Sequence, residues 1–174
     1  MGKELDLIRS LYRYNSRVRQ KYLRAIWKLP PRERYKDRGA SFPSLVDIYM
    51  HVLDAYRWWF IAVYRKERFD EYPLGTRYSL AEARTETRRV DRVVEEALRG
   101  LREADLGRTI SKPGRRRETV TLRVLLVHMA EEELQHRGEM NALLWQLGQE
   151  APVLGFDDLP EFSHPPVGWP RGAR

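Results

Sequence analysis

The amino-acid sequence predicts an all-α protein: a four-helix bundle with a small β-hairpin before the last helix and an extended C-terminal tail. Three observations lead to this prediction. Apolar residues recur at intervals of three and four in four long stretches, which is the period of an amphipathic helix. Proline, glycine or a capping residue separates each stretch from the next. The chain has 174 residues, 42% of them apolar, which suits one domain with a hydrophobic core.

The first predicted helix covers residues 3–28, with apolar positions spaced by three and four along its whole length. Two consecutive prolines, Pro30 and Pro31, follow it. Proline lacks a backbone N–H and restricts the residue before it, so this pair ends the helix. A polar connector over residues 32–41 leads to the next element.

The second helix is predicted over residues 43–66. Either Ser41 or Ser44 can cap its beginning, because a serine hydroxyl accepts a hydrogen bond from an unpaired backbone N–H of the first turn. The expected buried stripe of this helix consists of Leu45, Ile48, Val52, Ala55, Trp59 and Ala62.

The third helix is predicted to begin after Ser79 and to end near Glu103, following a turn-rich link over residues 70–79. Ser79 and Glu82 have the spacing of a capping box, in which each side chain pairs with the backbone N–H of the other residue. This motif is typical of a helix N-terminus.

A β-hairpin is predicted between the third and fourth helices. Residues 108–111 and 118–121 are two short runs rich in threonine, isoleucine and valine, and a Pro-Gly pair lies between them. Short β-branched runs on both sides of such a pair are typical of two antiparallel strands joined by a turn.

The last helix is predicted over residues 122–147, where Gly148 ends it. Residues 149–174 are rich in proline and glycine and have no helical period. We therefore expect one bundle domain over residues 1–148 and an irregular tail over residues 149–174.

The composition excludes several classes of protein and of site. Because the chain has no cysteine, it can form no disulfide, no cysteine-ligated metal centre and no thiol nucleophile of its own. It has no long uncharged apolar stretch and no apolar segment at its start, so we expect a cytoplasmic protein with no membrane partner. The net charge is +7, with 26 arginines and 6 lysines, which is compatible with an anionic ligand or with a plain basic surface.

Two polar residues interrupt the apolar seam of the last helix. The seam consists of Leu122, Leu125, Met129, Glu132, His136, Met140, Leu143 and Leu147. A carboxylate is almost never fully buried unless it is paired or coordinates a metal. Residues four apart lie on one face of a helix, so Glu132 and His136 can reach the same ion.

His51 is the expected third ligand, because it lies midway along the second helix and borders the buried stripe. With Glu132 and His136 it would form a mononuclear site with open positions for water or substrate. The candidates for the layer around the ligands or for the pocket wall are Asp54, His128, Glu133 and Trp58.

Each of these assignments has an alternative. His136 can be a hydrogen-bonded core histidine, and Glu132 can pair with an arginine. His128 lies about 12 Å along the helix from His136, too far for both to bind one metal. Glu133 forms a Glu-x-x-His pair with His136, but a di-iron bundle needs a second such pair, which the sequence lacks.

The segment from residue 131 to residue 148 reads Glu-Glu-Glu-Leu-Gln-His-Arg-Gly-Glu-Met-Asn-Ala-Leu-Leu-Trp-Gln-Leu-Gly. It resembles the last-helix signature of the DinB-like (DinB/YfiT) superfamily, commonly Asn-His-x-x-His-His-Arg-Gly-Gln followed by a leucine-rich turn and glycine. Residues 36–44, followed by His51, resemble the link into the second helix of that family. The resemblance covers residues 3–148.

This resemblance implies a four-helix bundle, often a homodimer, that holds one divalent metal through three side chains. The usual triad of the family is three histidines. His51 and His136 match the first and last, whereas Glu132 stands where the middle histidine usually lies. Zinc, nickel, iron and manganese all remain possible, because a carboxylate is a harder donor than an imidazole.

The resemblance also implies the leading hypothesis for function. Members of the superfamily include transferases that use a low-molecular-weight thiol, and others are linked to hydrolysis. We therefore expect a metal-dependent transferase or hydrolase that activates a thiol or water against a small electrophilic substrate. The alternative is a non-catalytic binding protein whose basic surface engages nucleic acid or an acidic partner, although no nucleic-acid-binding motif is found in the sequence.

Overall fold

A computed structural model describes residues 3–111 and 118–152. The described residues form α1 (Lys3–Lys28), α2 (Pro31–Arg34), α3 (Leu45–Arg57), α4 (Leu80–Arg99), β1 (Thr109–Ser111), β2 (Thr119–Thr121) and α5 (Leu122–Gln146). A π-helical segment, Trp58–Arg65, continues α3, and a 3₁₀ turn, Glu103–Gly107, precedes β1. The predicted fold class is confirmed.

The four long helices pack as a bundle in which α1 and α3 each contact mainly α4 and α5. Helices α1 and α3 therefore lie diagonally opposite each other in the bundle, and so do α4 and α5. This arrangement requires the long links at residues 29–44 and 100–121, because a short turn would make consecutive helices neighbours. The packing of α3 against α5 creates the candidate site described below.

Local capping chemistry places the helix ends. Ser44, rather than Ser41, is the N-cap of α3, and its hydroxyl accepts a hydrogen bond of 3.2 Å from the backbone N–H of Asp47. Ser79 and Glu82 form the predicted capping box at the start of α4. Gly148 adopts a φ of +67° just after α5, a conformation that favours glycine.

The second and third predicted helices end differently from expectation. The α-helical geometry of α3 ends at Arg57, and the π-helical segment then runs to Arg65 and is followed by Lys66, which has a φ of +62°. The run of apolar residues from 58 to 63 has no helical phase, so its sequence does not distinguish the two kinds of helix. The third helix ends at Arg99 instead of near Glu103. The chain turns at Gly100, and the next helical residues form the 3₁₀ turn instead of continuing the α-helix.

The predicted hairpin is present and leads directly into α5. Its strands are antiparallel, with Thr109 opposite Thr121 and Ile110 opposite Val120. The hydroxyl of Thr121 caps α5 by accepting a hydrogen bond of 3.3 Å from the backbone N–H of Val124. The strand end and the helix start thus share one residue, which holds the beginning of α5 against the bundle.

The predicted seam of α5 is wrong at one position. Glu133, not Glu132, is the carboxylate buried in the bundle core, with 1% of its surface exposed. Successive residues of an α-helix are about 100° apart, so the two positions lie on either side of the boundary between the core face and the face toward α3. The packing of the neighbouring helices, and not the helical period of the sequence, determines which of the two glutamates is buried.

No helix in the described ranges combines the length and the apolar character needed to cross a membrane. The turn of the hairpin and nearly all of the predicted tail, residues 153–174, lie outside the residues that the structure describes. The prediction of a separate tail therefore stays a prediction.

Candidate metal centre

The three side chains predicted to bind a metal meet between α3 and α5. His51 lies in the middle of α3, and Glu132 and His136 lie one turn apart on the facing side of α5. Glu132 Oε1 is 3.6 Å from His51 Nε2 and 3.4 Å from His136 Nε2. One donor atom from each of the three residues lies within 4.8 Å of the other two.

This donor set fits a divalent transition metal. Two imidazole nitrogens and one carboxylate oxygen are the usual ligands of zinc, iron and related ions in catalytic sites. Ligand bonds of about 2.1 Å in a tetrahedral arrangement place the donor atoms about 3.4 Å apart. The two distances from Glu132 are close to this value, and all three donor atoms lie within 4.8 Å of one another.

A carboxylate behind His136 orients its imidazole. His136 Nδ1 lies 3.0 Å from Glu139 Oε2, one turn further along α5. Because a carboxylate only accepts hydrogen bonds, this contact places the ring proton on Nδ1 and leaves the Nε2 lone pair directed toward Glu132 and His51. A metal-ligating histidine usually has such a partner.

Glu139 is itself held by the connector before α3. Its carboxylate accepts hydrogen bonds of 2.7 Å from the backbone N–H of Ser41 and 2.6 Å from the Ser41 hydroxyl. Burial alone would raise the pKa of Glu139, but the hydrogen bonds from Ser41 and His136 outweigh it and place the pKa below its ordinary value. The carboxylate is therefore stabilised in its charged form beside His136.

His51 is oriented by an aromatic ring. The ring of Phe42 stacks on the imidazole with 4.0 Å between the ring centroids and 24° between the planes. Burial and the neighbouring His136 lower the pKa of His51, although Glu132 acts in the opposite direction. The neutral imidazole that metal binding requires is thus favoured.

His128 lies beside this group of residues without belonging to it. Its Nε2 atom is 3.9 Å from Glu132 Oε2, and its Nδ1 atom is 3.4 Å from Glu131. Its ring meets the edge of Trp59. His128 can therefore contact a ligand that enters next to Glu132.

A cleft of about 560 Å³ opens beside His51 and Glu132. One wall is the face of α3 that carries His51, Asp54 and Trp58, and the opposite wall is the segment 69–74. His128 and Glu132 of α5 lie at one side of the cleft. Trp58 lines this cleft, one of the two roles considered for it.

Asp54 is one of the residues that line the cleft, and its hydrogen-bond partners are Arg57 and Tyr72, not His51. Its carboxylate accepts hydrogen bonds of 2.5 Å from Arg57 and 2.6 Å from the backbone N–H of Tyr72. Burial raises the pKa of Asp54, and the hydrogen bonds from Tyr72 and Arg57 lower it only in part. Asp54 holds the opposite wall of the cleft in place, because its position on α3 points toward that segment instead of toward α5.

The same wall has two further attachments to α3. Arg57 donates a hydrogen bond of 2.9 Å to the carbonyl oxygen of Asp70. Asp47 accepts a hydrogen bond of 2.8 Å from the backbone N–H of Gly75, which has a φ of +73°. Three charged residues of α3 therefore position the segment that faces the candidate metal ligands.

Glu133 lies away from the cleft, in a polar cluster inside the bundle. Its Oε2 atom accepts hydrogen bonds of 2.6 Å from Arg19 and 2.6 Å from the Tyr56 hydroxyl. Arg137 approaches its Oε1 atom at 3.4 Å. An ion pair with Arg19 of α1 accounts for the burial of this carboxylate, so Glu133 holds α1 against α5 and does not line the cleft.

The sequence prediction overlooked the aromatic and hydroxyl partners of the site. Glu139 was not among the predicted residues of the site, although its spacing of three from His136 was an available signal. The contributions of Phe42 and Ser41 could not be read from a period, because both residues lie in the connector before α3.

The family model described as the DinB family matches residues 1–165 of the chain. No curated protein matches it. The match spans the whole bundle and includes His51, Glu132 and His136. On this basis, with the four-helix bundle and the convergence of three metal-type ligands between α3 and α5, the chain belongs to the DinB family.

Proposed function

We propose that the protein is a metal-dependent enzyme of the transferase or hydrolase type, which activates a thiol or water against a small electrophilic substrate. The observation that carries the proposal is the convergence of His51, Glu132 and His136, two of which, His51 and Glu132, line the 560 Å³ cleft. A site that served only the fold would be closed, whereas a catalytic site keeps an open side.

Under this proposal, the residues of the site have the following roles. His51, Glu132 and His136 hold one divalent ion, with zinc, nickel, iron and manganese as candidates. The bound ion supplies Lewis-acid chemistry, which lowers the pKa of a thiol or of water and polarises a substrate group. Glu139 fixes the tautomer of His136, and Phe42 fixes the plane of the His51 ring.

His128 is the proposed proton acceptor. Its Nε2 atom faces the cleft 3.9 Å from Glu132, so it can take the proton of a thiol or of water that enters there. Its other nitrogen contacts Glu131, which stabilises the imidazolium that forms. A low-molecular-weight thiol is the expected co-substrate of the transferase type.

Metal content tests the proposal directly. Wild-type protein, Glu132→Ala, His136→Ala and His128→Ala are purified without added metal or chelator and measured by mass spectrometry. About one divalent ion per chain is expected in wild type and in His128→Ala, with loss from the other two variants. Wild-type protein that carries no metal and cannot be loaded would refute the proposal.

Activity is then measured with model electrophiles. Thiol transfer to 1-chloro-2,4-dinitrobenzene and hydrolysis of p-nitrophenyl acetate distinguish the two reaction types. His128→Ala is expected to retain its metal and lose a factor of about 10² or more in turnover. Unchanged turnover in this variant would remove His128 from the mechanism and leave the metal site intact.

We further propose that the protein is a homodimer. The outer face of α5 supports this, because four large apolar residues on it are about half exposed or more: Val124, Val127, Leu134 and Trp145. They form one stripe at helical spacing. An exposed apolar stripe of this kind is typical of a surface that binds another protein.

A second candidate function rests on a separate groove between α1 and α4, with a volume of about 460 Å³. Its lining contains five arginines, Arg9, Arg13, Arg17, Arg19 and Arg99. Two carboxylates, Asp91 and Glu95, also line it, so positive charge is in excess. Under this candidate the protein binds nucleic acid or an acidic partner through electrostatic attraction.

Oligonucleotide binding at several salt concentrations tests the second candidate. Binding that weakens steeply with salt, and weakens further in Arg17→Glu, would support it. Absence of binding near about 50 mM salt would exclude it.

A further inference from the structure

The cleft beside the candidate metal ligands has a charge opposite to that of the whole protein. The chain carries a net charge of +7 and 26 arginines. In the described part of the chain, however, no arginine or lysine side chain lines this cleft, whereas four carboxylates do: Asp47, Asp54, Glu71 and Glu132.

Two of these carboxylates keep an uncompensated charge. Asp54 is neutralised by its ion pair with Arg57, and Glu132 belongs to the candidate metal centre. Among the described residues, the Asp47 carboxylate accepts hydrogen bonds only from the hydroxyl of Ser44 and from the backbone N–H of Gly75, which are neutral donors. Glu71 is exposed and forms no ion pair with any described residue.

Aromatic rings make up much of the remaining lining. Trp58 and Trp59 pack edge to face, with 4.6 Å between ring centroids, on the α3 side of the cleft. Phe69 and Tyr72 lie on the opposite side. The rings of these last two residues already contact one cation, since the Arg57 guanidinium lies 5.2 Å from the Phe69 centroid and 4.1 Å from that of Tyr72.

From this arrangement we infer that the cleft selects a substrate with a cationic, ammonium-type group, placed between Trp58 and Glu71 while the reacting group lies at the candidate metal ligands. Carboxylates and aromatic faces together bind organic cations, and the same surfaces disfavour anions. This inference names the substrate class of the proposed enzyme and so rests on the proposed function.

A set of three ligands with the same shape and different charge tests the inference. Choline carries a quaternary ammonium, 3,3-dimethyl-1-butanol replaces its nitrogen with carbon, and 3,3-dimethylbutanoate is an anion of similar size. Binding is measured by calorimetry and by tryptophan fluorescence on metal-loaded wild-type protein. Choline is expected to bind about tenfold more tightly than the neutral analogue, with the anion weakest.

Variants locate the binding in this cleft. Glu71 is exposed, so Glu71→Gln does not disturb packing, and this variant is expected to weaken choline binding about threefold. Trp58→Leu is expected to weaken choline binding about tenfold. Glu95→Gln is the matched control, because it removes one negative charge from the α1–α4 groove instead of from the cleft. Thermal unfolding of each variant verifies that it is folded.

The inference is overturned if the neutral analogue or the anion binds as tightly as choline, if choline does not bind at millimolar concentration, or if Glu71→Gln binds it like wild type. The His136→Ala variant distinguishes failure of this inference from failure of the proposed function. Loss of a divalent ion removes positive charge, so choline binding in that variant is expected to be at least as tight as in wild type.

Discussion

His136 and Glu139, one turn apart on α5, are joined by a hydrogen bond of 3.0 Å between Nδ1 and Oε2, and Ser41 donates two hydrogen bonds to the same carboxylate. The candidate ligand His136, its partner Glu139 and the connector before α3 thus form one chain of hydrogen bonds. The orientation of the imidazole therefore depends on both α5 and the connector.

Glu139→Ala is expected to lower metal affinity by a factor of about 10 to 100, because the imidazole of His136 loses the acceptor that fixes its tautomer. Competition with a chromogenic chelator measures the affinity. Glu131→Ala removes another carboxylate from the same helix that does not touch His136, and serves as the control. Equal affinities in wild type and Glu139→Ala would contradict the assigned role.

Substitution of Glu133 is expected to lower the stability of the fold, whereas substitution of its neighbour Glu132 is expected to remove metal binding and leave the stability nearly unchanged. Glu133→Ala leaves the buried Arg19 without its closest carboxylate, which should lower the free energy of unfolding by about 3 to 5 kcal/mol. Glu132→Ala, at a partly exposed position, should cost less than about 1 kcal/mol and abolish metal binding. Urea unfolding in the presence of a chelator measures both variants without a contribution from bound metal.

A finding that Glu132→Ala destabilises the metal-free protein as strongly as Glu133→Ala would show that Glu132 has a structural role. The predicted difference depends on burial: the side chain of Glu132 is 24% exposed, whereas that of Glu133 is 2% exposed.

Asp54→Ala is expected to loosen the cleft wall and leave the metal site intact. The substitution removes the acceptor of the Tyr72 N–H and the ion-pair partner of Arg57. Hydrogen exchange of the Tyr72 amide should become faster, since its hydrogen bond is lost. Loss of metal in this variant would indicate that Asp54 orients His51 after all.

Leu134→Glu is expected to convert the proposed dimer into a monomer, because it places a charge in the middle of the apolar stripe of α5. Light scattering during size-exclusion chromatography should give twice the chain mass of 20.7 kDa for wild type and the single mass for the variant. Leu7→Glu, an exposed leucine on α1, is the matched control. A monomeric wild type would rule out the dimer.

Several features of this protein are determined locally and could be predicted from the sequence. The ends of α1 and α5, the capping box of Ser79 and the hairpin before α5 depend on residues close together in the chain. The group of His51, Glu132 and His136 was also predictable, because helical spacing places two of them on one face and the third at a matching depth.

Only the tertiary structure decided the remaining features. Glu133 is buried because α1 brings Arg19 to it, and no period in α5 contains that information. Asp54 accepts a hydrogen bond from the backbone N–H of Tyr72 because the segment 69–74 folds back over α3. Helix periods and caps are local properties, whereas the partner of a buried or half-buried charge depends on which distant segment packs against it. The sequence determined which groups could bind a metal, and the packing of α3 against α5 determined that they meet beside an acidic, aromatic cleft.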